Sequence, residues 1–322
     1  MDPKQYFDQL NQDYVALSRP SEELFWTTFM GTSDDHDARV AAENALNAFN
    51  ANPQRIAELR AHIAAAESLS DTSEKEALLH GLRGWLNFFQ INAIESEAAR
   101  DMHKQLVQDD SDLFERRKEL TLHYVDKSGT QVEASTLVLN TNLVSSDDEN
   151  VRKTSHDAML EVEKFVASNG LIDSIKHRNA FAREMGYRNF FDYKVNKEER
   201  MSPEQLFEIL DKFEQETRDA QQRGFDALAE KHGERALAGH NLNYYMRGDT
   251  TQQMDPYLPF SKSLQRWVES FGRMGVKFRD ATLTLDLLDR KGKYENGFMH
   301  SPSTAWFNQG VWSPAVINFT SN

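Results

Sequence analysis

Residues 73–92, SEKEALLHGLRGWLNFFQIN, predict the fold class, because their apolar side chains recur with the period of an α-helix. The repeat steps by three or four residues and places on one helix face the side chains of Leu78, Leu82, Trp85 and Phe89. Ser73 and Glu76 have the spacing of a capping box, so we expect the helix to begin there. The stretch therefore indicates an amphipathic helix that packs one stripe against its neighbours.

Helical spacing recurs outward from this stretch in both directions. Similar stripes contain Tyr6, Leu10, Tyr14 and Leu17; Ile56, Leu59 and Ile63; Ile94, Ala98, Met102 and Leu106; and Met159, Val162 and Val166. Ser202-Pro203-Glu204-Gln205 places proline at a first helical position, where its missing N–H is harmless. The helix that follows is expected to turn inward Leu206, Ile209, Leu210 and Phe213, and a later one carries Leu264, Trp267, Val268 and Phe271. The predicted fold class is mainly α.

Strand patterns interrupt the helices in two places. Residues 120–138 alternate apolar and polar side chains around Asp126-Lys127-Ser128-Gly129, which predicts a β-hairpin. TLTLDLL (282–288) and VWSPAVINFT (311–320) predict short strands near the C-terminus. The polar run after the hairpin suggests two units, a helical subdomain over 1–145 and a second unit over 146–322.

Composition narrows the function classes. The chain has 322 residues, 39% of them hydrophobic and 27% charged, which is typical of a globular protein. Its formal charge of −14 disfavours nucleic acid and anionic membrane surfaces as partners. It has no cysteine, and its first residues lack an apolar signal core. These features predict a protein of the cytoplasm without disulfides or Cys-based metal sites.

Catalytic motifs are missing from the sequence. None of the ten histidines has a second histidine four residues away, so the H-E-x-x-H helix of zinc peptidases is absent. His232 and His240, eight residues apart, are a weak metal pair, because single histidines near helix ends are usually caps or surface residues. The chain also contains neither G-x-S-x-G nor a P-loop. The residues alone indicate no catalytic constellation.

Three stretches resemble the thimet oligopeptidase and oligoendopeptidase F family of zinc metallopeptidases. They are residues 178–206, 237–249 and 285–322. The third is the most specific, because it keeps the order R-K-G-K-Y, G-F-x-H and N-F-T-S-N over nearly forty residues. In the second, Tyr244 and Tyr245 match the family's tyrosines and are expected to be structural. His240 and Asn241 stand there in place of the family's usual Trp and Asp.

The resemblance implies a two-lobed helical endopeptidase that cleaves short peptides in a deep channel with zinc as cofactor. In that family the zinc ligands follow the N-F-T-S-N strand, so they would come after Asn322. We therefore expect this segment to shape the channel, to bind no zinc and to be inactive without the C-terminal catalytic half as partner. The alternative is a stand-alone helical module that binds peptides or proteins without catalysis.

The resemblance also implies candidate substrate-binding residues, namely His300, Trp306, Asn308 and Asn318. The terminal strand from Trp312 to Thr320 would line the channel. Pro314 suggests either an edge position or a strand start, and an edge could accept a peptide backbone. The alternative for these residues is local packing, with the strand buried against the catalytic half. Apolar surface near 300–322 would then favour self-association.

Overall fold

The computed structural model describes the backbone of residues 1–288, 290–294, 297–303, 305–308 and 311–320, with all their side chains except 249, 251, 252, 306–308 and 311. The predicted mainly-α fold class is confirmed. The α-helices are α1 (Pro3–Phe29), α2 (His36–Asn50), α3 (Gln54–Glu67), α4 (Ser73–Asn92), α5 (Glu97–Lys118), α6 (Thr136–Ser145), α7 (Glu149–Val166), α8 (Ile172–Glu184), α9 (Phe190–Lys197), α10 (Pro203–His232), α11 (Gly239–Asn243), α12 (Asp249–Met254) and α13 (Phe260–Arg273).

Two of the apolar cores lie among helices α1–α5, α8 and α9. In the first, α1, α3 and α4 bury Tyr6, Leu10, Leu59, Leu82 and Phe89, which confirms the predicted stripes. The second joins α5, α8 and α9 through Leu106, Phe181 and Tyr193. The described helices include none that combines the length and the apolarity needed to cross a bilayer.

The predicted helix starts are correct at α10 and one residue late at α4. At α10, Ser202 Oγ accepts from Gln205 N–H while Gln205 Oε1 accepts from Ser202 N–H, so the capping box forms. At α4 the N-cap is Thr72, whose backbone is extended and whose hydroxyl accepts from the N–H of Lys75 at 3.2 Å. The prediction of Ser73 as the cap was wrong, because either hydroxyl can cap and only the backbone conformation selects one.

The hairpin is confirmed but is shorter than predicted. Strands β1 (His123–Val125) and β2 (Gln131–Glu133) pair antiparallel around a turn that ends at Gly129, where φ is +84°. Beyond residue 134 the strand prediction was wrong, because Ser135 caps α6 by accepting from the N–H of Val138. Helical geometry then buries Leu139 and Leu143, which are four residues apart, whereas a strand would place Leu139 opposite to Val138.

Helix α10 departs most from its prediction. Ile209, Leu210 and Phe213 were expected to face inward, but their exposed fractions are 57%, 48% and 66%. Leu206 on the same stripe is only half-buried. Within the described chain α10 lies against little more than α9 and the turn over 234–237, so few apolar side chains are available to cover it. The inward orientation was therefore wrong.

Helix α13 has one apolar side chain in contact with aromatic rings near the C-terminal strands and others in solvent. Trp267 stacks on Phe278 at 5.6 Å between ring centroids and meets Phe319 edge-on. Leu264 and Val268 remain exposed at 46% and 52%. The helix therefore anchors the C-terminal strands on one side and leaves apolar surface on the other.

The C-terminal strands form two small sheets rather than a continuous edge. Strands β3 (Thr282–Asp286), β7 (Val316–Thr320) and β4 (Phe298–Ser303) form one sheet, with β7 in the centre, parallel to β3 and antiparallel to β4. Strands β5 (Trp306–Asn308) and β6 (Val311–Ser313) form the other.

A continuous terminal strand from Trp312 to Thr320 was therefore a wrong prediction. Pro314 and Ala315 separate β6 from β7, and the Ala315 carbonyl accepts from the N–H of Thr282 at 2.9 Å. Because proline lacks an N–H, the ladder breaks at this position. The suggested boundary near 145 falls in the connection between α6 and α7 and stays a prediction.

Candidate functional site

The C-terminal sheet of β3, β7 and β4 packs against α1, and this junction contains two of the four residues that the sequence singled out. His300 on β4 and Asn318 on β7 are paired across the ladder, so their side chains share one face of the sheet. Both are buried, with exposed fractions of 8% and 6%. The structure therefore brings His300 and Asn318 together beneath the first helix of the chain.

His300 is held by a carboxylate and by aromatic rings from α1. Its Nε2 lies 2.7 Å from Glu22 Oε2, and its ring lies parallel to that of Trp26 at 5.7 Å between centroids. Its Nδ1 is buried and has no hydrogen-bond partner within the described part of the chain. When the imidazole is neutral and donates from Nε2 to Glu22, Nδ1 is left as an acceptor. This arrangement orients the ring and leaves one position able to accept a further hydrogen bond.

The turn after β3 is joined to the end of α1 by a second polar cluster. Arg290 donates to both carboxylate oxygens of Asp286, at 2.6 and 2.9 Å, and also to the Met30 carbonyl. Hydrogen bonds from Arg290 and then from Lys293 lower the pKa of the Asp286 carboxyl. The Lys293 side chain is fully buried and donates to the carbonyls of Asp286 and Leu288 at 3.0 and 2.9 Å. The R-K-G-K-Y segment is therefore held by hydrogen bonds from Arg290 and Lys293 to the end of α1 and to the turn after β3.

At this junction the backbone of the turn after β3 also comes very close to the backbone at the end of α1. Gly31 has φ +62°, and a Cβ there would lie 2.8 Å from the backbone carbon of Gly292. The N–H of Tyr294 donates to the Phe29 carbonyl at 2.7 Å. Since a side chain at Gly31 would collide with the Gly292 backbone, the glycine at position 31 lets the turn meet α1 this closely.

Trp306 and Asn308 belong to the second sheet. Both lie on β5, where their Cα atoms pair with Ser313 and Val311 in the second sheet. Their side chains fall outside the part of the structure that is described. Their predicted role in substrate binding stays a prediction.

The predicted edge position of the terminal strand was wrong. Strand β7 is hydrogen-bonded to β3 on one side and to β4 on the other, so its backbone groups already have partners. A peptide could pair with this sheet only at the outer strands β3 and β4. The edge inference failed because Pro314 precedes β7 instead of lying within it.

A separate buried polar cluster, away from the C-terminal sheet, lies around Arg152, which the sequence did not single out. Its guanidinium is 1% exposed and donates from Nε and Nη2 to Asn241 Oδ1, at 2.9 and 2.8 Å. The ring of Tyr244 lies 4.1 Å from the guanidinium carbon, a cation–π contact. The expected structural role of Tyr244 and Tyr245 agrees with these contacts, since Tyr245 also faces Arg152.

Asn241 uses both ends of its amide in this cluster. Its Nδ2 donates to Glu149 Oε1 at 2.9 Å and to the Arg235 carbonyl at 3.0 Å. Hydrogen bonds from Asn241 and then His240 lower the pKa of the Glu149 carboxyl. Asn241 therefore links an arginine on α7 to a carboxylate on the same helix, which makes this segment a structural anchor.

The described residues do not fit a zinc site. Nowhere among them do three His, Cys, Asp or Glu side chains converge as metal ligands. His232 contacts the ring of Tyr245, whereas His240 pairs with Glu149. Because a catalytic zinc site requires three protein ligands, no step is assigned to a metal here.

Comparison with known proteins leaves the family open. No family model matches the chain, and no curated protein matches it.

Proposed function

We propose that this chain forms the substrate-channel part of a zinc-dependent oligopeptidase of the thimet or oligoendopeptidase F type, without the catalytic metal site. The supporting observation is the burial of polar residues in the stretch that resembles the family. Counted over the whole residue, backbone included, the exposed fractions of Lys293, His300, Asn318 and Thr320 are 7%, 8%, 6% and 4%. Buried polar groups require partners at defined positions, so a match in such residues is more specific than a match in surface residues.

In this proposal His300 and Asn318 position the sheet, and a short peptide pairs with an outer strand. Glu22 and Trp26 hold the imidazole of His300, and Arg290 holds the turn that leads into β4. These contacts keep the sheet rigid against α1, which a channel wall needs in order to bind an extended peptide in one register. A catalytic half of the family type would supply the zinc ligands and the general base.

The test combines metal analysis with two peptidase assays on the purified chain. We expect no stoichiometric zinc after dialysis and no chelator-sensitive cleavage of a quenched fluorescent peptide by the chain alone. Adding the H-E-x-x-H half of an oligoendopeptidase F-type enzyme should give co-elution and chelator-sensitive cleavage. The same half with both histidines changed to alanine is the control. Zinc and cleavage in the chain alone would contradict the proposal.

The alternative is a stand-alone helical module that binds peptides or proteins without catalysis. The exposed stripe of Ile209, Leu210 and Phe213 on α10 favours it, because exposed apolar stripes often mark interaction sites. In the same experiment the alternative is supported if the chain binds labelled peptides, fails to associate with the catalytic half and never contributes to cleavage.

A further inference from the structure

A cavity of about 460 Å³ lies among the helices between α2 and α9, away from the C-terminal sheets. Its walls come from α2, the end of α4, α5, α8 and α9. The apolar part of its lining includes Leu106, Phe181 and Tyr193, which are 6%, 0% and 7% exposed. Sites for small ligands commonly have about 300–1,000 Å³, so this volume suits a small molecule.

One wall of the cavity presents hydrogen-bond acceptors. Glu43, Asn47 and Asn50 follow one another at helical spacing along α2 and all line the cavity. Asn50 Oδ1 is buried and has no hydrogen-bond partner among the described residues. A buried acceptor without a partner costs about 1–3 kcal/mol, so this wall is suited to a ligand that donates.

The carboxylate of Glu43, on the same wall, is also suited to a ligand that donates. Desolvation raises the pKa of Glu43, although Arg39 opposes the shift from 3.0 Å. An ammonium group beside Glu43 would favour its charged form. The wall thus combines an amide acceptor with a carboxylate that gains from a nearby cation.

Another wall presents cations around an aromatic ring. Arg178 on α8 and Lys194 on α9 both line the cavity, and each lies close to the ring of Phe190, at 5.7 and 5.8 Å. Arg178 also donates to Asp110 at 2.7 Å, and Lys194 contacts Glu198. Because a guanidinium has five N–H donors, Arg178 can hold a second carboxylate while keeping Asp110.

We propose that this cavity binds a small zwitterion with an apolar side chain, that is, a free amino acid or a dipeptide. Its ammonium group would lie at Asn50 and Glu43, its carboxylate at Arg178 and Lys194, and its side chain against Phe181. The site uses none of residues 285–320. It therefore stands apart from the proposed function.

The first test uses the wild-type chain and three forms of one ligand. Isothermal titration calorimetry compares the dipeptide Ala-Phe with its C-terminal amide and its N-acetyl derivative. We expect the zwitterion to bind and each neutralised form to bind at least about tenfold more weakly, because each loses one charged contact. Equal affinity for the three forms, or no binding of Ala-Phe at about 10 mM, would overturn the proposal.

The second test compares two arginines on α8. Arg178→Met should weaken Ala-Phe binding at least about tenfold, whereas Arg183→Met should not, since Arg183 is exposed and does not line the cavity. The amide of the dipeptide should be insensitive to Arg178→Met. Equal losses in both variants would contradict the assignment of the carboxylate. If Arg178→Met does not fold, the comparison of the three ligand forms on the wild-type chain still tests the proposal.

Discussion

Helices α4 and α10 carry apolar stripes of the same period but opposite burial. On α4, Leu82 and Phe89 are both 0% exposed, whereas on α10 Phe213 is 66% exposed. The stripe of α4 is covered because α1 and α3 supply matching apolar faces to one core. The stripe of α10 has no comparable neighbour within the described chain. The comparison teaches that periodicity identifies the apolar face of a helix and leaves its covering undecided.

The largest expected effect tests this contrast directly. Phe89→Ala should lower the free energy of unfolding by about 3–5 kcal/mol, because it leaves a cavity in a closed core. Phe213→Ala should change it by less than about 0.5 kcal/mol, since the ring is mostly in water. Urea denaturation of both variants and of the wild type measures the two values. Similar losses in the two variants would mean that α10 is covered in solution, by a second copy or another surface.

The next largest effect tests whether the polar contacts of Asn241 stabilise the region around α11. Asn241→Asp should cost about 1–3 kcal/mol, because an oxygen would replace the N–H₂ group that faces Glu149 and the Arg235 carbonyl. Asn243→Asp is the matched control, since Asn243 is exposed on the same short helix. Thermal and urea unfolding at pH 7 compare the two. An Asn241→Asp variant as stable as the control would show that the new carboxylate pairs with Arg152 well enough to compensate.

A smaller effect concerns Tyr193 in the second core. Burial raises the pKa of Tyr193 to about 12, above its unfolded value near 10. The stability that this shift contributes is complete below pH 10 and is lost as pH rises from about 10 to 12. Between pH 9 and pH 11.5 the wild type should lose about 1–2 kcal/mol more than Tyr193→Phe. The exposed Tyr257→Phe should behave as the wild type, and a parallel loss in Tyr193→Phe would show that Tyr193 titrates freely.

The smallest expected effect compares two glycines of α4. A Cβ at Gly81 would lie 2.6 Å from the Phe7 ring, whereas one at Gly84 meets nothing within 4 Å. Gly81→Ala should cost about 1 kcal/mol, because the ring must move. Gly84→Ala should stabilise by about 0.5–1 kcal/mol through helix propensity. Changes of the same sign would show that α1 and α4 pack less closely than the structure indicates.

Of the candidate site, the sequence predicted residues on the sheet but none on α1. The order of residues in 285–322 singled out His300 and Asn318, and the structure pairs them across β4 and β7. Glu22 and Trp26 were missed, because they lie on α1, about 280 positions away in the chain, and their helix pattern carries no sign of a distant partner. Arg152 was missed for a similar reason, since an arginine on a helix is usually exposed.

Predictions from local sequence were wrong at residues whose chemistry is compatible with two backbone conformations. Ser135 could continue a strand or cap a helix, and the core that receives Leu139 and Leu143 selected the helix. Pro314 could mark an edge strand or the start of a strand, and the pairing of β7 with two neighbours excluded the edge.

The sequence by itself determined the helices, the hairpin turn and the strand segments near the C-terminus, because these follow from side-chain period, capping residues and glycine positions near in the chain. Only the tertiary structure decided which stripes are covered, which strand is central and which partners hold His300 and Arg152. The physical reason is that burial and ion pairing depend on groups far apart in the chain. Their meeting requires the whole set of cores to form.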